Sequence, residues 1–168
     1  GKLTKKCVRL GMLTPSSNTV LEPIANEIVS NLDGVSIHFS RLKVVEISLK
    51  DFAINQFDIK PFMDAARLLA DARVDVIAWN GTSAGWIGFD ADRQLCKAIQ
   101  DELGVLATTS TLALCDALKV VGASKIGLVT PYLDEIQTKI ISNFAREGFD
   151  CISERHLNDP GNFSFSEI

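Results

Sequence analysis

No apolar run in the 168 residues approaches the roughly 18–20 that a membrane span requires, so a helical membrane protein is not expected. There is no C-x-x-C pair among Cys7, Cys96, Cys115 and Cys151, and neither histidine stands at metal-ligand spacing to a cysteine. A zinc site or disulfide framework is therefore not expected, and no metal or cofactor is called for. The apolar stretch after Lys2, Lys5, Lys6 and Arg9 is broken at once by Thr14-Pro15-Ser16-Ser17-Asn18, which does not read as a signal peptide. Reduced thiols and a cytoplasmic location are the expectation. Neither a G-x-G-x-x-G loop nor a Walker loop is present, and the turns after the first and third strands lack the acidic residues of a phosphorelay receiver. A net charge of −4 with both signs interspersed gives no surface suited to nucleic acid or anionic lipid.

What is there is an ordinary globular composition, 46% apolar and 23% charged, in an alternation of short β-branched runs with segments of helical period. The spacing predicts strands over 8–13, 35–42, 74–79, 105–107, 125–130 and 149–153, with helices over 19–31, 61–72, 90–103, 111–121 and 134–147. Val35, Ile37 and Phe39 alternate against Ser36, His38 and Ser40. Pro61 suits a first helical position, and Leu68, Leu69 and Ala72 are expected to form that helix's packing face. A mixed loop with a short helical turn is expected up to about Lys60, and a polar stretch follows the last strand. The fold class is α/β, a mainly parallel sheet with helices on both faces, Rossmann-like or flavodoxin-like. A first domain is expected over 1–112 and an incomplete, pseudo-symmetric second domain over 113–168.

Ligands of open parallel sheets bind beyond the carboxyl ends of the strands. Three turns there are rich in hydroxyls and helix-start amides and carry no cationic side chain: Thr14-Pro15-Ser16-Ser17-Asn18-Thr19, Asn80-Gly81-Thr82-Ser83 and Thr130-Pro131-Tyr132. Such donors suit a small anion. The same residues are also the preferred helix caps, and either role accounts for any one turn. Trp79 and Trp86 flank the second turn and either wall a pocket or pack between sheet and helix. His38 and His156 read as solvated surface.

The run Gly11 to Thr19 with Glu22-Pro23 is similar to the opening of maleate cis-trans isomerases, and Gly81-Thr82-Ser83 resembles the Gly-Thr-Ser of arylmalonate decarboxylase. Thr108 to Thr111 and Gly127 to Tyr132 look like later segments shared by both, so the chain resembles the aspartate/glutamate racemase superfamily from about Val8 to Phe149. That resemblance implies two pseudo-symmetric α/β domains and cofactor-independent carbanion or enediolate chemistry on a small carboxylate or dicarboxylate. It implies substrate contacts from Pro15, Ser16, Asn18, Gly81, Thr82, Ser83 and Tyr132. Racemases and isomerases of the family carry a cysteine directly before the Thr-Ser pair, where this chain has Gly81, as the decarboxylase branch does. A second cysteine, on a later strand turn, is not found before Ile168, and Cys151 falls inside a strand.

The leading expectation is an isomerase or decarboxylase whose cysteine proton donor lies beyond Ile168. A catalytically inactive carboxylate-binding protein is the alternative, and an interaction module with capped turns the third reading. An incomplete second sheet implies a homo-oligomer or a missing C-terminal segment as its cover.

Overall fold

A computed structural model describes residues 7–43 and 58–159. The loop expected before Lys60 falls mostly on residues 44–57, and the polar end largely on 160–168, outside the described residues. The chain divides into two compact units, one of residues 1–81 with 93–110, the other of 82–92 with 111–168.

The first unit holds β1 (Val8–Pro15), α1 (Leu21–Val29), β2 (Val35–Leu42), α2 (Lys60–Asp71), β3 (Val76–Trp79) and β4 (Leu106–Thr109). Its four strands are parallel in the order β2-β1-β3-β4. The chain thus steps to one side of β1 for β2 and to the other for β3, which makes β1/β3 the switch point of a flavodoxin-like sheet. Gly11 lets α2 lie close, since a Cβ there would meet Val74 Cγ2 at 3.0 Å and Leu69 Cδ1 at 3.2 Å. The core gathers Leu13, Leu42, Phe62, Met63, Ala66, Leu69, Ile77, Trp79, Leu95 and Ile99.

The packing faces of two elements differ from the sequence pattern. The packing face of α2 is Phe62, Met63, Ala65, Ala66 and Leu69, whereas Leu68 is 66% exposed and Ala72 is exposed as well. Pro61 does stand in the first turn, but the face it leads into is one residue out of phase with the expected one. In β2 the presumed polar side is the more buried, with Ser40 and Leu42 covered and Val35, Ile37 and Phe39 only half-buried. The reason is that α2 packs on that side, and Leu42 joins the core there.

The second unit holds α3 (Ala84–Ile87), the start of α4 (Phe89–Leu103), α5 (Ser110–Val120, from Thr111), β5 (Lys125–Thr130), α6 (Asp134–Arg146) and β6 (Asp150–His156). Strands β5 and β6 are parallel, with a register shift that leaves Ile152 as an extra residue. Phe89, Cys115, Ile140, Phe144 and Phe149 form its core, with Phe89 and Phe144 edge to face at 5.3 Å. Only alternate residues of β5 are covered: Ile126, Leu128 and Thr130 are half-buried, while Lys125, Gly127 and Val129 are exposed. Among the described residues every strand pairs in parallel with its neighbours within its own sheet, and each unit carries helices, so the α/β class stands. Among the described residues no helix is long and apolar enough to cross a membrane.

Candidate functional site

Pro15 ends β1, and Ser16 and Asn18 form the turn after it, at the carboxyl edge of the first unit's sheet. The turn is tied down by Ser16 N–H donating to Leu42 O (2.9 Å) and Asn18 N–H donating to Pro15 O (3.0 Å). Asn18 Oδ1 accepts from Val20 N (2.9 Å) and Leu21 N (2.8 Å). The side-chain oxygen of Asn18 is therefore committed to the backbone N–H groups that lead into α1, which starts at Leu21 rather than Thr19 and has Val20 as its N-cap residue. Its Nδ2 takes no part in these two bonds, and the orientation of the amide is fixed by the two backbone donors.

Arg41, which sequence reasoning passed over, completes this turn. From its place opposite Thr14 in the ladder its Nη1 donates to Ser16 O (3.1 Å) and Asn18 O (2.8 Å), while Nε and Nη2 reach Glu22 Oε1 at 3.1 and 3.0 Å. The guanidinium is thus spent on backbone carbonyls and a carboxylate. A signal was present: Arg41 interrupts the apolar series Val35, Ile37, Phe39 on one side of β2.

Across the switch point, Asn80 follows β3 and donates its backbone N–H to Leu13 O at 3.1 Å, with Nδ2 on Ala78 O at 2.9 Å. Gly81 follows it. Ser110, just after β4, donates to Trp79 O at 3.4 Å. Thr14, fully buried, carries the one buried side-chain oxygen without a hydrogen-bond partner among the described residues. The carboxyl edge of this sheet therefore presents neutral hydroxyl and amide groups.

In the second unit Thr82 and Ser83 precede α3 and Tyr132 follows β5. Thr82 Oγ1 and Tyr132 Oη are 3.0 Å apart, and the Tyr132 ring stands edge-on to Trp86 at 5.0 Å. Two hydroxyls joined by one hydrogen bond use one proton between them, so with Tyr132 donating, the Thr82 O–H is a donor for a ligand. Ser83 is the N-cap residue of α3, but its side chain makes no capping bond.

A chain of polar contacts supports that edge. Thr130 Oγ1 donates to Gln137 Oε1 (2.6 Å), and Gln137 Nε2, on a side chain only 2% exposed, donates to Glu154 Oε2 (3.0 Å). His156 Nδ1 lies 2.8 Å from the same carboxylate and its Nε2 lies 3.4 Å from Asp134 Oδ1. His156 is thus a mostly covered, paired residue at the carboxyl end of β6 rather than solvated surface. The hydrogen bonds from His156 and then Gln137 hold the Glu154 carboxyl below its ordinary value, against a smaller opposing effect of burial.

No thiol stands at either carboxyl edge among the described residues. Cys7 precedes β1, Cys96 and Cys115 are buried in α4 and α5, and Cys151 is the second residue of β6, its Sγ donating to Ser153 O at 3.3 Å. Nor is any group of three or more His, Cys, Asp or Glu placed to hold a metal among these residues.

Residues 10–159 match the arylmalonate decarboxylase family. The chain belongs to that family. Among curated relatives, maleate isomerase of Pseudomonas putida is 27% identical over 93% of this chain and 66% of its own, and that of Geobacillus stearothermophilus is 26% identical over 94% and 66%. The chain thus spans a little under two thirds of the length of these relatives. Among solved structures, a variant of the Nocardia farcinica maleate cis-trans isomerase with a covalently bound succinylcysteine intermediate superposes with a TM-score of 0.82 at 25% identity, covering 96% of this chain and 68% of that one. Arylmalonate decarboxylase superposes at 0.73 with 20% identity, a likeness of fold.

Proposed function

We propose that this chain is the carboxylate-holding part of a cofactor-independent isomerase or decarboxylase acting on a small mono- or dicarboxylate. The observation that carries this reading is the hydroxyl and amide donors of the turns at the carboxyl edges, Asn18, Thr82 and Tyr132 among them, with the Arg41 guanidinium beside the first turn already engaged. Neutral donors fixed in place stabilise the charge that develops on a carboxylate as it becomes an enediolate. Pro15, Ser16, Asn18 through Nδ2, and Gly81 are the proposed contacts in the first unit, and Thr82, Ser83 and Tyr132 in the second. The maleate isomerase and arylmalonate decarboxylase relatives support the substrate class.

The planar intermediate is to be protonated at carbon by a thiol. None of the four cysteines stands at a carboxyl edge, so the proposed donor comes from outside the described residues. A carboxylate-binding protein without chemistry is the second reading, and the same distribution of cysteines favours it. Isothermal titration with malonate and maleate tests what both share. Heat from at least one of them is expected, and no heat with any C3 to C5 dicarboxylate in a cooperatively folded sample overturns the site. Turnover that survives Cys151→Ala, with no further cysteine supplied, would show that the proton donor has been misplaced.

A further inference from the structure

The glycine at position 81 is required by space rather than by backbone conformation. Gly81 is not among the residues of positive φ, so an L side chain meets no torsional objection there. Yet a Cβ built on Gly81 would stand 2.1 Å from Trp79 Cζ2, 2.4 Å from Cε2 and 2.8 Å from Nε1. Carbon atoms in favourable contact are about 3.5–4.0 Å apart, so the indole occupies the volume into which residue 81 would project. The obstacle is a rigid ring, not the end of a flexible chain. Trp79 is 5% exposed and packs edge to face on Phe62, with ring centres 4.9 Å apart, so the ring cannot turn aside without repacking the core around Leu13, Ile77 and Leu95.

We propose that Trp79 is a specificity-determining residue: by filling the space beside position 81 it limits that position to backbone, so that a ligand there meets a peptide group and no side-chain proton donor can stand at that point. The proposal rests on the carboxylate-acting reading above and sharpens it. A chain with this tryptophan cannot carry a thiol or hydroxyl at 81, and its proton transfers run through other residues. Exchange of Gly81 alone would not convert it to chemistry with a proton donor at that place; Trp79 has to change first.

The test is a double-mutant cycle in the full chain, read by melting midpoint. Gly81→Ala and Gly81→Cys are each expected to lower the midpoint by about 4–10 °C, the usual effect of overpacking in a domain this size. Gly127→Ala is the control, because nothing lies nearer than 4.0 Å to a Cβ there. Trp79→Leu lowers the midpoint on its own account, but adding Gly81→Cys to it is expected to cost no more than about 2 °C further, since the obstacle is gone. Equal costs in the two backgrounds would overturn the proposal. Where Trp79→Leu fails to fold, Trp79 emission in a Trp86→Phe, Gly81→Ala chain decides: a shifted spectrum supports a displaced indole, and one matching Trp86→Phe alone overturns it. Absence of malonate binding by the unaltered chain would defeat the functional reading, while the thermal coupling of 79 and 81 would stand.

Discussion

Replacing Arg41 by methionine keeps most of the aliphatic stem and removes the guanidinium that ties Ser16 O, Asn18 O and Glu22 together. Both charged side chains are more than a third exposed, 40% for Arg41 and 36% for Glu22, so the ion pair is heavily screened and contributes about 0.5 kcal/mol. The two bonds to carbonyl oxygens add about 0.5–1 kcal/mol each, because those oxygens regain water when the side chain is lost. The sum, about 2 kcal/mol, corresponds to a fall in melting midpoint of about 4–8 °C. The loss should be local, because Ser16 N remains bonded to Leu42 O and the β1/β2 ladder is untouched. Amide hydrogen exchange is the discriminating assay: Asn18, Val20 and Leu21 should exchange faster in Arg41→Met, with the β3 amides changed much less. Arg41→Lys should fall between, since one ammonium cannot span both carbonyls and the carboxylate. A midpoint within about 1 °C of the unaltered chain, with unchanged exchange at these three amides, would refute the view that Arg41 organises the turn.

Asn18 separates two roles in one side chain: Asn18→Asp keeps the oxygen that accepts from Val20 N and Leu21 N and should hold the midpoint near that of the unaltered chain, yet abolish the carboxylate heat by replacing an amide donor with a negative charge. Asn18→Ala should cost about 1 kcal/mol of stability as well, and equal binding by the Asp and Asn forms would remove Asn18 from the site. The Glu154 carboxyl, held below its ordinary value of 4.5 in the fold, contributes stability that is present above that value and is lost as pH falls through the lowered one. The midpoint difference between the unaltered chain and Glu154→Gln should therefore shrink as pH falls below that ordinary value, and a difference that grows with acid would show the sign to be wrong. Light scattering on the 168-residue chain should show a dimer, a larger species or aggregation, since Val129 and Ile152 are 79% and 64% exposed on the two-stranded sheet, and a monodisperse monomer with a cooperative melt would sink that expectation.

Elements governed by local pattern were legible. Strands β2 and β5 occupy the spans that their β-branched runs mark, and α6 starts at the expected Asp134. Features that depend on which neighbour packs where were not. The phase of α2 was misread at Leu68 because the face is set by what Phe62, Met63 and Ala66 meet in the core. His156 looked solvated because its partners come from two places: Glu154 on its own strand and Asp134 at the start of α6. The Trp79 and Gly81 relation was within reach, since residues two apart in extended chain share a side, and a glycine there invites the question of what fills its place. Arg41 bears most directly on function. The turns themselves contain no cation, but absence of charge from a turn does not exclude charge supplied from an adjoining strand. The structure brings a guanidinium to the turn and consumes it on two carbonyls and Glu22. An anion bound at this edge would therefore depend on neutral donors whose directions are fixed. Such donors can favour a developing enediolate over the resting carboxylate by geometry, where a free point charge would hold both.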